Sequence, residues 1–137
     1  MGNGNVTVAA VDDDAEVYTR SYVRGHGWGA WTTMTEPGAS NQHAQFDLAA
    51  VSPAPGVFDL YWEGAGSQTF FHAMTRRMTN GHWGATVDLG GKVDYLFASY
   101  LSGRTDLWAQ PMSNNTLSPY QRTMIAGRWD QWHRLPY

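Results

Sequence analysis

The chain has 137 residues, enough for one domain with its own core, and with a net charge of −3 and no basic block it is not expected to bind nucleic acid or anionic membranes. It contains no cysteine, which excludes disulfides and thiolate metal sites. Aromatic residues make up 14% of the chain and 15 residues are glycine, a composition that favours short strands joined by tight turns over helices.

The N-terminal part of the chain predicts three strands, at about 5–11, 16–23 and 28–34. In the first two, apolar and polar residues alternate, which is typical of strands with one buried face. Between them lies the acidic segment Asp12-Asp-Asp14. Val17 stands where a calcium-binding loop needs glycine and no glutamate closes the loop, so we interpret this segment as a hairpin turn. The N-terminus shows neither the charged nor the apolar region of a signal peptide, and the compartment stays open.

Eight further strands are predicted in the rest of the chain, at about 45–52, 57–63, 68–75 and 83–89, and at about 94–101, 105–111, 118–125 and 129–135. Turn-forming residues separate them, including Pro53-Ala-Pro-Gly56 and Asn114-Asn115, and Glu63-Gly-Ala-Gly66 is also interpreted as a turn. No segment shows a sustained helical period, and no apolar run is long enough to span a membrane. The chain is therefore predicted to form a single all-β domain over residues 1–137.

A short tryptophan motif recurs three times along the chain. Its first tryptophan is Trp28, Trp83 and Trp129, with separations of 55 and 46 residues. Three positions later stand Trp31 in the first copy and Trp132 in the last, whereas the middle copy has Thr86. Repeats of about 45 residues with four strands each are typical of the blades of a β-propeller.

We therefore expect a β-propeller arc of about three four-stranded blades, at about 1–39, 40–91 and 92–137, of which the first lacks its opening strand. Neighbouring blades cover each other's faces, so an arc of three leaves two apolar faces exposed. The chain is expected to complete a ring with further copies, a dimer of six blades being favoured, or to be a piece of a longer propeller.

Several segments of the middle copy carry a family resemblance. Asp59-Leu-Tyr-Trp62, Phe70-Phe-His72 and Gly81-His-Trp-Gly-Ala-Thr-Val-Asp-Leu-Gly-Gly91 resemble the repeats of PLL-type propeller lectins. They are similar, more distantly, to tectonin repeats and to six-bladed fucose lectins. The resemblance implies a propeller that binds sugars, often fucose or O-methylated sugars, in pockets between its blades and without catalysis.

The resemblance also implies a fucose site built from an arginine, a glutamate and a tryptophan. Arg20 and Arg122 recur in phase before the tryptophan motif, but the middle copy has Ala73 at the place assigned to them, and no glutamate recurs. We therefore expect unequal sugar sites, of which one or two are functional.

Tryptophan and arginine are the main candidates for sugar contacts. A tryptophan ring offers a flat apolar face to the C–H groups of a sugar, or it packs between blades, and we favour packing for the first tryptophan of each motif and stacking for the second. An arginine fork donates to sugar hydroxyls, or forms a cross-strand ion pair. The predicted sugar-binding residues are Trp28, Trp31, Trp83, Trp129, Trp132, Arg20, Arg122 and His82, the last at the rim beside the middle motif.

Signals for catalysis or metal binding are absent from the sequence. It has no nucleophile elbow, nucleotide loop or zinc-protease motif, and its five histidines show no metal-ligand spacing. Asp59 and Asp106 recur in phase, so we interpret them as structural residues that bond turns or the backbone. The sequence thus predicts a multivalent glycan-binding lectin without enzyme activity, cofactor or metal. The alternative is a structural or protein-interaction propeller, and a glycosidase propeller ranks third.

Overall fold

A computed structural model describes residues 4–34, 47–67, 70–110 and 118–136 of the chain. Within these ranges the regular structure consists of antiparallel strands in three sheets, without a helix, so the predicted all-β class is confirmed. These ranges contain no helix that is long and apolar enough to cross a membrane. The predicted turn at Asn114-Asn115 lies outside the described residues.

The first sheet contains β1 (Val6–Val11), β2 (Val17–Val23), β3 (Gly27–Trp28) and β4 (Thr32–Thr33). Its first hairpin is closed by Asp12, whose Oδ1 accepts bonds from the N–H groups of Asp14 and Glu16 at 3.0 and 2.9 Å. A side-chain oxygen that bonds the backbone two residues on is a common turn device. The predicted hairpin is therefore confirmed, and the described residues contain no cluster of side chains able to hold a metal ion.

The middle sheet contains β5 (Leu48–Ala54), β6 (Val57–Ser67), β7 (Phe70–Thr79), β8 (His82–Trp83) and β9 (Val87–Asp88). The prediction of a turn at residues 63–66 is wrong, because β6 continues through them and pairs Glu63 with Ala73 and Gly64 with His72. The predicted strand 68–75 likewise ends four residues too early. This central hairpin is therefore longer than the alternation pattern indicated.

The last sheet contains β10 (Tyr95–Leu101), β11 (Arg104–Gln110), β12 (Tyr120–Ile125), β13 (Arg128–Trp129) and β14 (His133–Arg134). In all three sheets the strand that carries the tryptophan motif is split into two short pieces, both paired with the same neighbour. The single strands predicted at 28–34, 83–89 and 129–135 are therefore interrupted. Within the described residues, the first sheet has no counterpart of β5 or β10.

Two apolar clusters form the core and hold the sheets together. The first lies between the first and middle sheets and is composed of Val17, Met34, Phe58, Leu60, Trp62, Met74 and Met78. The second lies between the middle and last sheets and is composed of Val51, Tyr61, Ala73, Leu89, Val93, Leu96, Leu107 and Ala109. The middle sheet is thus covered on both faces, and full burial of one large apolar side chain stabilises the fold by about 1.5–3 kcal/mol.

Candidate functional site

Two clefts open between neighbouring sheets. The first, of about 610 Å³, lies between the first and middle sheets, and the second, of about 320 Å³, between the middle and last sheets. Both are lined at matching positions of the repeat. In each cleft one wall is the face of a sheet, and the opposite wall includes the first motif tryptophan of the next sheet, Trp83 in the first cleft and Trp129 in the second.

The strand register identifies the polar residues that correspond in the two clefts. In each sheet the first motif tryptophan pairs with a residue of the neighbouring strand. The residue just before that partner forms a cross-strand pair with the next strand of the sheet. This pair is Ser21 with Thr7 in the first sheet and Arg77 with Asp59 in the middle sheet. The two hydroxyls of the first pair are 2.9 Å apart. Arg77 donates to both carboxylate oxygens of Asp59 at 2.6 and 2.7 Å. The first cleft is therefore neutral at this position, and the second carries a bidentate ion pair.

The second cleft combines that ion pair with aromatic groups. Asp59 is buried, with a side chain only 3% exposed, and its hydrogen bonds raise the pKa of Arg77. Tyr61 lies edge-on to Trp129 with ring centroids 6.0 Å apart. The Tyr61 hydroxyl is buried, burial raises its pKa, and no described residue forms a hydrogen bond with it. A buried hydroxyl without a partner is costly, so Tyr61 is an unsatisfied polar group that lies beneath the surface of this cleft wall, near the Asp59 carboxylate.

An arginine supports the interrupted strand in every sheet. The Nε atoms of Arg20, Arg76 and Arg122 donate to backbone carbonyls in the gap of that strand, at 2.8, 2.6 and 2.7 Å. Arg76 is therefore the middle counterpart of Arg20 and Arg122, and the assignment of Ala73 to this position is wrong. In addition, Nη1 of Arg76 donates to the Met34 carbonyl in the preceding sheet at 2.7 Å.

Three of the eight predicted sugar-binding residues line the clefts. Trp28 and Trp83 border the first cleft and Trp129 the second. Trp28 borders the first cleft only at the edge of the first sheet, because its ring lies on the face of that sheet that points away from the middle sheet. There the ring packs edge-on against Tyr22, with 5.6 Å between ring centroids, and beneath the Arg20 guanidinium, 5.4 Å from the ring centroid. It is 46% exposed.

The other five predicted residues line neither cleft. Trp132 donates its indole N–H to the Leu89 carbonyl at 3.0 Å, and Arg122 donates to the same carbonyl. Trp31 is exposed and lies 6.0 Å from the guanidinium of Arg20. The fifth, His82, has an exposed side chain on β8.

Most of the polar groups that line the clefts were not predicted from the sequence. The interpretation of Asp59 as a residue that bonds turns or the backbone is wrong, since Asp59 binds the Arg77 side chain. The recurrence of Asp59 and Asp106 was a usable signal. Arg77 was missed because β7 was predicted to end at residue 75, which placed this arginine outside the sheet.

Comparison with known proteins identifies the fold. No protein-family model and no curated protein matches the chain. Among solved structures, the chain is similar to a fucose lectin from Kordia zhangzhouensis in complex with methyl-fucoside, over 99% of this chain and 94% of that chain, with a TM-score of 0.55 and 9% sequence identity. The chain therefore has an all-β fold like that of a β-propeller-type lectin, while the resemblance to PLL-type repeats stays a prediction.

Proposed function

We propose that this protein binds carbohydrates, without catalysing a reaction, in the clefts between its sheets. One observation carries the proposal: the second cleft brings the ring of Trp129 together with the Asp59–Arg77 pair and the unpartnered Tyr61 hydroxyl. A sugar needs an apolar surface for its C–H groups and directed partners for its hydroxyls. A carboxylate that accepts and a guanidinium that donates are suited to a pair of neighbouring hydroxyls.

The class of sugar follows from the comparison and from the motif resemblance. The similar solved chain is a fucose lectin in complex with methyl-fucoside. Lectins bind sugars without transforming them, which agrees with the predicted lack of enzyme activity. Fucose-like or O-methylated sugars are therefore the ligands to test first. They have methyl groups that add apolar contact area while most of their hydroxyls remain available for hydrogen bonds.

The proposal includes the arrangement of the sheets. Each sheet is a propeller blade, at about 1–39, 40–91 and 92–137, and the first is incomplete. Two chains form a six-bladed ring, because both end sheets leave apolar side chains exposed, for example Trp28 at 46% and Phe97 at 63%. Repeated clefts on one rigid ring bind dense glycans with avidity that exceeds the affinity of a single cleft.

Tyr61→Phe tests the sugar site without loss of the fold. It removes a buried hydroxyl that has no partner among the described residues, so we expect the free energy of unfolding to stay constant or to rise. Binding of methyl-fucoside, or of the best ligand on a glycan array, is expected to weaken about three- to tenfold, as for one lost hydrogen bond. Isothermal titration measures the affinity, and urea unfolding measures the stability.

Tyr18→Phe is the matched control. It removes a hydroxyl that donates to Glu16 at 2.8 Å on the protein surface, away from both clefts, and is expected to leave sugar binding unchanged. An array on which the wild-type protein binds no glycan would overturn the proposal. Equal affinities of the Tyr61→Phe variant and the wild type would exclude the second cleft as the site.

A further inference from the structure

The two end sheets each leave one face uncovered, and both faces carry exposed apolar side chains. On the first sheet these include Val6 and Val8, which are 49% and 37% exposed. On the last sheet Phe97, Leu101 and Ile125 are 63%, 75% and 59% exposed. Apolar surface of this extent marks an interaction site. The contacts between neighbouring sheets of the chain indicate which groups of a partner each uncovered face would bind.

At both internal interfaces an arginine joins one sheet to the end of the preceding sheet. Arg76 donates through Nη1 to the Met34 carbonyl at 2.7 Å, and Arg122 donates through Nη1 to the Leu89 carbonyl. Arg20 holds the same position in the first sheet and makes the same Nε bond within it. For its outer nitrogens, the described part of the chain contains no acceptor. The uncovered face of the first sheet thus has the donor of an interface whose acceptor is missing.

The missing acceptor is present at the other end of the molecule. Leu135 in the last sheet corresponds to Leu89 in the middle sheet. The N–H of Leu135 donates to the Pro119 carbonyl at 2.9 Å, just as the N–H of Leu89 donates to the Ala73 carbonyl at 2.8 Å. At the internal interface the Leu89 carbonyl also accepts the indole N–H of Trp132 at 3.0 Å. In the described residues nothing donates to the Leu135 carbonyl.

We propose that a second copy of this chain packs its last sheet against the uncovered face of the first sheet. In this pairing Arg20 and Trp31 of one copy donate to the carbonyl of Leu135 in the second copy. Trp31 holds the position of Trp132 and is 50% exposed. The occupant is a second copy, since the donors and the acceptor repeat those of the internal interface. The same contact between the two remaining faces closes a ring of two chains.

This pairing also completes a third cleft, whose ligand class rests on the proposed function. Asp106 corresponds to Asp59 and accepts hydrogen bonds from Arg104, Gln121 and Thr123 at 2.8, 2.7 and 2.8 Å. Although burial opposes it, these bonds hold the pKa of Asp106 below its usual value. The last sheet therefore presents an ionised carboxylate and an amide on its uncovered face.

The tryptophan wall of the third cleft comes from the second copy. The wall is formed by Trp83 in the first cleft and by Trp129 in the second, and Trp28 holds that position in the first sheet. Across the ring contact, Trp28 of one copy faces Asp106 and its neighbours in the other. The completed cleft takes a sugar that stacks on the indole ring and donates its hydroxyls to the carboxylate.

Sedimentation velocity over a micromolar concentration series tests the pairing. The wild type is expected to sediment as two chains, and Arg20→Ala and Phe97→Asp are each expected to raise the dissociation constant of the dimer at least tenfold. Phe97 is exposed, so its replacement leaves the single chain folded. Val23→Asp is the matched control. Val23 is also exposed, at 41%, but its side chain lies on the opposite face of the first sheet from Arg20. A wild type of one chain or of more than two chains, or an intact dimer in both variants, would overturn the pairing.

Titration with methyl-fucoside tests the third cleft. We expect three sugars per chain in the wild-type dimer and two in Phe97→Asp at a concentration where that variant sediments as a single chain. Gln121→Ala, which remains a dimer, is expected to bind one of the three sugars about three- to tenfold more weakly. Three equal sites in Phe97→Asp single chains, or unchanged affinities in Gln121→Ala, would overturn the third cleft. Absence of binding to any cleft in a protein that still forms the dimer would overturn the proposed function and leave the pairing supported.

Discussion

Replacing Glu63 by glutamine tests the most unusual buried group of the described chain. The Glu63 side chain on β6 is fully buried, and neither carboxylate oxygen has a hydrogen-bond partner in the described residues. Burial, reinforced by the nearby carboxylates of Asp47 and Asp94, raises its pKa to about 8. At neutral pH the folded protein therefore holds Glu63 mainly in its protonated form, whereas the unfolded chain ionises it.

The sign and the magnitude follow from this difference in pKa. Between the unfolded value of 4.5 and the folded value of about 8, the folded state binds more protons than the unfolded state. The free energy of unfolding contributed by this group therefore falls as the pH rises, by about 1.4 kcal/mol per pH unit. From pH 5 to pH 8 the loss is on the order of 4 kcal/mol, and below the unfolded pKa there is none.

Urea unfolding, followed by tryptophan fluorescence at fixed protein concentration, measures this slope. We expect Glu63→Gln to have a nearly flat profile between pH 5 and pH 8, because an amide of similar shape does not ionise. Asp13→Asn is the control, since it removes one carboxylate from an exposed turn and is expected to keep the slope of the wild type. Equal slopes in the wild type and in Glu63→Gln would refute the assignment of a raised pKa.

Two further predictions concern the contacts between sheets. Arg76→Gln removes the guanidinium bonds to two backbone carbonyls and is expected to lower the free energy of unfolding by about 1–3 kcal/mol, measured by urea unfolding at pH 7. Gly91→Ala is expected to destabilise the protein more than Gly103→Ala, measured as the difference in melting temperature. Both glycines have positive φ, of 91° and 83°, but only at Gly91 would a Cβ lie 3.1 Å from the indole of Trp132. Equal shifts for the two glycines would contradict the predicted clash.

Alternation and turn chemistry were sufficient to predict most of the strands. The hairpin at Asp12 and the four-strand pattern of the last sheet follow from residues that act locally. The extension of β6 through Glu63 does not, because Gly64 and Gly66 favour a turn unless the partner strand continues beside them. The pairing of Glu63 with Ala73 fixes the strand, and such pairing depends on contacts distant in sequence.

The error in the length of this hairpin also concealed part of the candidate site. Arg76 and Arg77 lie beyond the predicted end of the strand, so neither the support of the interrupted strand nor the ion pair with Asp59 was expected. The exposure of the tryptophans could not be predicted for a different reason. Trp28 and Trp83 occupy equivalent positions, but only Trp83 has another sheet of the same chain against its face. Burial here is determined by the neighbouring sheet rather than by the motif.

The cross-strand pair in front of the motif tryptophan also differs among the sheets, which has a consequence for recognition. It is two hydroxyls in the first sheet, an ion pair between a buried aspartate and a partly exposed arginine in the middle sheet, and Asp106 with Thr123 in the last sheet. Under the proposed function, the tryptophan wall would supply a similar apolar surface to the sugars of each cleft. Selectivity would then come from this variable pair, because a polar group left without a partner penalises the wrong hydroxyl arrangement. The proposal therefore predicts that the clefts prefer different sugars.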